Sequence, residues 1–124
     1  MPLSPLAHLS ALLGIALREE NLPAELLWRG AFELEIVRWG NKVILTGVLA
    51  VGIREDDPVL AEVTRRRSQA FSRPAVILAH QAEERRLIVW TPLEEGADAQ
   101  EVGDRLNDLL AVMEELRPAL PSFQ

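Results

Sequence analysis

Two histidines, His8 and His80, are the only side chains in this 124-residue chain that ordinarily titrate near neutral pH, and there is no cysteine. Nucleophilic catalysis requires a hydroxyl, thiol or amine within reach of an activating base. His8 falls in a helix start and His80 at a strand end, with no serine motif beside either. Neither is expected to act as a catalytic base, and no catalytic residue is assigned. The carboxylate pairs Glu19-Glu20, Asp56-Asp57, Glu83-Glu84 and Glu94-Glu95 fall at element ends, where they cap helices and solvate turns.

Without cysteine there is neither a disulfide framework nor a thiolate zinc site, and two histidines limit other metal sites. No glycine-rich stretch has P-loop or dinucleotide spacing; Trp39-Gly-Asn and Gly47 to Gly52 lack the following helix start. No cofactor and no metal are expected. Arg65-Arg66-Arg67 is the one basic run, but three consecutive helical residues point in three directions. With 19 acidic against 13 basic residues and a net charge of -6, nucleic acid and anionic membranes are poor partners. The apolar start of the chain lacks a basic leader and is closed early by Arg18-Glu19-Glu20, so it is not expected to be a signal peptide or a membrane span.

The chemistry that remains is adhesion. Trp28, Trp39 and Trp90 stand out in a chain with no tyrosine and three phenylalanines. Trp39 lies at a turn, where it is hard to bury, and an exposed tryptophan beside an apolar strand makes a binding anchor.

The elements that must position these groups follow from periodicity. Ser4-Pro5 is a helix start, with Leu6, Leu9, Leu13 and Ala16 or Leu17 on one face, predicting a first helix over about Pro5 to Glu19. Phe32, Leu34 and Ile36 alternate with Glu33 and Glu35, as in a strand with one wet face. Trp39-Gly-Asn-Lys42 is turn chemistry, and a second strand follows over Val43 to Ile53. That strand is apolar on both faces: Val43, Leu45, Leu49, Val51 and Ile53 on one, Ile44, Val48 and Ala50 on the other. One face should meet helices, and the other could meet a partner subunit or client.

Asp57-Pro58 opens a second helix whose face carries Leu60, Val63, Arg67, Ala70 and Phe71 until Arg73-Pro74 ends it. Strands over Ala75 to His80 and Arg86 to Thr91 come next. A last helix from Asp98 to Leu116 carries the seam Val102, Leu106, Leu109, Met113, Leu116 and Leu120, and Pro118 stops it. One α+β domain over residues 1–124 is predicted, with an antiparallel sheet of about five strands and three helices in the order helix, strands, helix, strands, helix.

The stretch Leu87-Ile-Val-Trp-Thr-Pro-Leu93, an acidic turn, and Val102-Gly-Asp-Arg-Leu-Asn-Asp-Leu-Leu-Ala-Val-Met-Glu-Glu-Leu-Arg-Pro118 resemble the last strand and helix of the class I type III secretion chaperones, the Tir-chaperone or CesT-like family. The end, Leu116-Arg-Pro-Ala-Leu-Pro-Ser-Phe123, looks most like the YscB-type members. This resemblance implies a non-enzymatic, bacterial cytoplasmic protein. It would work as a homodimer, or as a heterodimer with a related chaperone. Its role would be to keep the non-globular amino-terminal segment of a secreted effector or gatekeeper soluble and secretion-competent. On that reading Leu27, Phe32, Leu34, Ile36 and Trp39 are expected to contact the client, and Val63, Phe71, Val89 and Trp90 to form the dimer interface. The alternative is a roadblock-like or other α+β regulatory domain that dimerises without a secreted client.

Overall fold

A computed structural model describes residues 4–70 and 72–121. The chain forms α1 (Pro5–Leu13), β1 (Ala24–Trp28), β2 (Phe32–Trp39), β3 (Lys42–Val51), α2 (Pro58–Ala70), β4 (Ile77–Gln81), β5 (Arg86–Leu93) and α3 (Ala99–Leu116). The five strands make one antiparallel sheet in the order β1-β2-β3-β5-β4, so the expected class and element order hold.

The central position of β3 explains its apolar composition. It pairs with β2 on one side and β5 on the other, leaving no strand edge to solvent. The helices lie on one face of the sheet, where Leu34, Ile36, Val43, Leu45, Leu87, Val89 and Leu93 meet Leu9, Val63 and the apolar stripe of α3. That stripe is Val102, Leu106, Leu109, Val112, Met113 and Leu116, all buried. The predicted seam is therefore the chain's own core. Gly47 lets α3 come close: a Cβ there would lie 2.4 Å from the Met113 sulfur.

Three expectations are corrected. The first helix ends at Leu13, because Gly14 takes the left-handed conformation (φ 70°) and its N–H caps the Ser10 carbonyl. Ser10 then accepts from the Leu17 amide at 3.2 Å, folding the chain back so that Leu17 still joins the core. On β3 the register slips between Val48 and Ala50. This bulge reverses the later alternation: Ala50 turns to the core beside Leu87, and Val51 is 53% exposed. The last strand runs on past Thr91 to Leu93, its Pro92 tolerated opposite Ile44.

The second helix is thinly greased, as its sequence implied: Val63 is fully buried in the core, Val59 and Leu60 pack against it, and ion pairs add to these contacts. Arg67, predicted on the apolar face, reaches Glu115 of α3 at 3.6 Å and donates to the Arg73 carbonyl at 2.7 Å. Arg73 in turn pairs with Asp108 at 3.5 Å. Asp57 caps the helix by accepting from the Val59 amide, and Asp98 caps α3 through the Glu101 amide.

Candidate functional site

The helices cover one face of the sheet only. Because side chains alternate along a strand, burial of Leu34 and Ile36 under the helices turns Glu33, Glu35, Val37 and Trp39 to the opposite face. Register then places Ile44, Thr46 and Val48 of β3, and Ile88 and Trp90 of β5, on that same open face.

These side chains form a groove of about 240 Å³ walled by Val37, Trp39, Ile44, Ala79, Ile88 and Trp90. Trp39 is 73% exposed at its rim. The tryptophan stands there because β2 ends in a two-residue hairpin, with Gly40 taking the positive φ (63°) that such a turn needs at its first position. Ile44 and Ile88 form the floor and are 7% and 4% exposed, sheltered by bulkier neighbours on the flanking strands. An apolar surface ending in an exposed tryptophan is the kind that marks a contact site.

One end of the groove is polar. Arg86 donates to Glu35 at 2.9 Å across β3, and to Gln81 at 2.8 Å. Both charged side chains are mostly buried. The charge-assisted bond to Glu35 raises the Arg86 pKa above its ordinary value against the opposing effect of burial, so the guanidinium stays charged.

The structure sorts the expected contact residues by face. Leu34 and Ile36, expected to touch a client, are fully buried beneath the helices and offer no surface. Phe32 is partly buried against the core with the Arg117 guanidinium 5.2 Å over its ring. Leu27, 64% exposed, and Trp39 do lie on the open face. Of the expected dimer residues, Val63 and Val89 are fully buried within the chain, and Phe71 lies outside the described residues. Trp90 is half-buried in the groove with Trp39. Two residues assigned to different surfaces thus share one.

Val37, Ile44, Ala79 and Ile88 were not singled out as contacts. Their signal was present in the two-faced composition of β3, but choosing the open face needs the side on which the helices pack. Several of the titratable groups have structural duties. His80 Nε2 lies 2.8 Å from the Ile53 carbonyl, and Asp57 and Asp98 are helix caps. Among the described residues no cluster of three or more His, Cys, Asp or Glu could hold a metal ion, and no helix is long and apolar enough to cross a membrane.

No protein-family model matches the chain, and no curated protein matches it in sequence. Solved structures do match. A chain of the heterodimeric ExoU-SpcU complex from the type III secretion system of Pseudomonas aeruginosa superposes with a TM-score of 0.72 at 21% identity, over 93% of this chain and 96% of that one. A chain of the HopA1-SchA chaperone-effector complex gives 0.68 at 13% identity, over 91% and 90%. The complex of the Yersinia pestis type III secretion chaperone SycH with a fragment of YscM2 gives 0.59 at 14% identity, over 90% and 96%. The chain has the fold of the class I type III secretion chaperones.

Proposed function

We propose that this protein is a type III secretion chaperone that holds the non-globular amino-terminal segment of a secreted effector or gatekeeper, keeping it soluble and competent for export. The observation that carries the reading is an open sheet face, with Trp39 and Trp90 at its apolar groove, on a fold shared with a chaperone-effector complex and with a type III secretion chaperone solved with a partner fragment. An extended client suits such a surface, since it can lie across the face and place side chains in the groove. The role is one of holding, in the bacterial cytoplasm, and needs no cofactor.

The protein acts as a dimer, with itself or with a related chaperone, presenting two such faces to one client chain. Co-expression with the products of neighbouring genes, followed by size-exclusion chromatography and mass spectrometry, tests this. The expected result is a stable complex with a secreted protein, or with a fragment from its amino-terminal region. If the chain stays monomeric and captures no segment of any secreted protein, the reading fails.

A further inference from the structure

Charge on the open face is gathered on one side. Glu25 of β1 sits opposite Glu35 of β2, and Leu27 sits opposite Glu33, so three carboxylates and one exposed leucine share a patch. Like charges opposed across a ladder are unfavourable unless a cation joins them. Arg86 supplies one, bonded to Glu35, with Glu84 and Glu25 contributing from further off. Lys42, the other cation beside Trp39, is held by Glu94 at 3.2 Å. Glu25 and Glu33 are exposed and have no ion-pair partner among the described residues. The apolar groove adjoins this patch, walled by Val37 and Trp39 of β2, Ile44 of β3, Ala79 of β4, and Ile88 and Trp90 of β5.

We propose that this face selects an extended client segment in which apolar residues fill the groove between Trp39 and Trp90 and arginine or lysine, about four residues away, reaches Glu25 and Glu33. The spacing follows from the sheet. Register puts Trp90, Thr46, Glu35 and Glu25 in one row across the sheet, so from Trp90 to Glu25 is three strand steps, about 14 Å, which an extended chain covers in roughly four residues. A second copy laid face to face on it would bring the same carboxylates, with the cations of that face, Arg86 and Lys42, already paired. Charge complementarity therefore favours a basic segment over self-association at this surface. The inference rests on the client-binding reading and names the chemistry of the client it takes.

The test uses fluorescein-labelled peptides a dozen residues long, each with a Leu-Ile pair and, four residues on, a pair of arginines, serines or glutamates. Binding to the full chain is read by fluorescence anisotropy at about 0.15 M salt. The arginine peptide should bind most tightly and the glutamate peptide most weakly. Replacing Glu25→Gln together with Glu33→Gln should weaken the arginine peptide by roughly fivefold to tenfold. The control pair Glu101→Gln with Asp104→Asn, exposed on α3 on the opposite side of the sheet, removes the same charge and should change binding less than twofold. Trp39→Ala should weaken all three peptides. Circular dichroism on every variant confirms that each is folded.

Equal losses in the two paired variants would mean diffuse attraction to an acidic protein and would overturn the proposal. So would equal affinity for the serine and arginine peptides, or a dimer that Trp39→Ala with Trp90→Ala dissociates. A secreted protein captured through a segment without basic residues would sink this inference and leave the chaperone reading standing; capture of none would sink that reading itself.

Discussion

Trp39 and Leu34 lie five residues apart on one strand and differ in everything that decides a mutation's effect. Trp39 is 73% exposed, so removing its ring leaves no cavity. We expect Trp39→Ala to weaken client capture about tenfold or more, as loss of an anchoring aromatic does, while the thermal midpoint moves by no more than about 2 °C. Leu34 is fully buried, and Leu34→Ala should cost about 2–5 kcal/mol, read from the urea midpoint. A large stability loss for Trp39→Ala would place the ring in the core and remove it from the binding surface. The alternation of Phe32, Leu34 and Ile36 with Glu33 and Glu35 marked the strand and its wet face correctly from sequence, but not whether the apolar face meets the chain's own helices or a partner. Assigning Leu34 and Ile36 to a client joined the buried parity to the exposed one.

Among the elements, α2 carries a cluster of local ion pairs on its surface. Its exposed Glu62 accepts from Arg65 at 2.6 Å and Arg66 at 3.0 Å, three and four residues on. Those bonds, Arg65 first, hold the Glu62 carboxyl below its ordinary value of 4.5. A depressed carboxyl stabilises the fold above its unfolded pKa and loses that contribution as pH falls through the folded value. Glu62→Gln should therefore lower the melting temperature slightly at neutral pH and low salt. The difference from the parent should vanish in strong salt and in acid below the carboxylate range. A difference that persists at both would assign the effect to packing.

Local chemistry explains which elements were legible. Ser4-Pro5, Asp57-Pro58 and Asp98 marked helix starts because a cap is a short-range event. The end of α1 was misplaced because the face of Leu13 and Leu17 continues past Gly14, although the helix does not. The contact between Glu35 and Arg86 joins residues 51 apart, and nothing in either neighbourhood announces it.

At the scale of the whole molecule, one face of the sheet packs under the helices and the other is left uncovered by them. The order β1-β2-β3-β5-β4 sets the carboxylates of β1 and β2 on one side and the apolar residues of β4 and β5 on the other. That separation could not be read from the chain, because β5 enters beside β3 after α2 and β4 have intervened. Light scattering after size-exclusion chromatography should give twice the chain mass of 13.8 kDa. With the buried Val63 and Val89 withdrawn from the candidate interface, Trp90→Ala should leave that mass unchanged while weakening client capture. A monomeric Trp90→Ala variant would return Trp90 to the dimer interface.

The bulge in β3 also has a bearing on how this chain's length can drift. Val48 faces Ile88 and Ala50 faces Leu87, so Leu49 is a supernumerary residue inserted between two correctly phased halves of the strand. Deleting Leu49 would restore uninterrupted alternation and leave Ala50 inward and Val51 outward. Deleting Leu45 would throw one half of the strand out of phase with its neighbours. The Leu49 deletion should fold with a modest loss of stability, and the Leu45 deletion should not fold, as amide hydrogen exchange across β3 would reveal. Leu49 is thus where this central strand tolerates an indel, and an alignment of relatives should place its one-residue gap there.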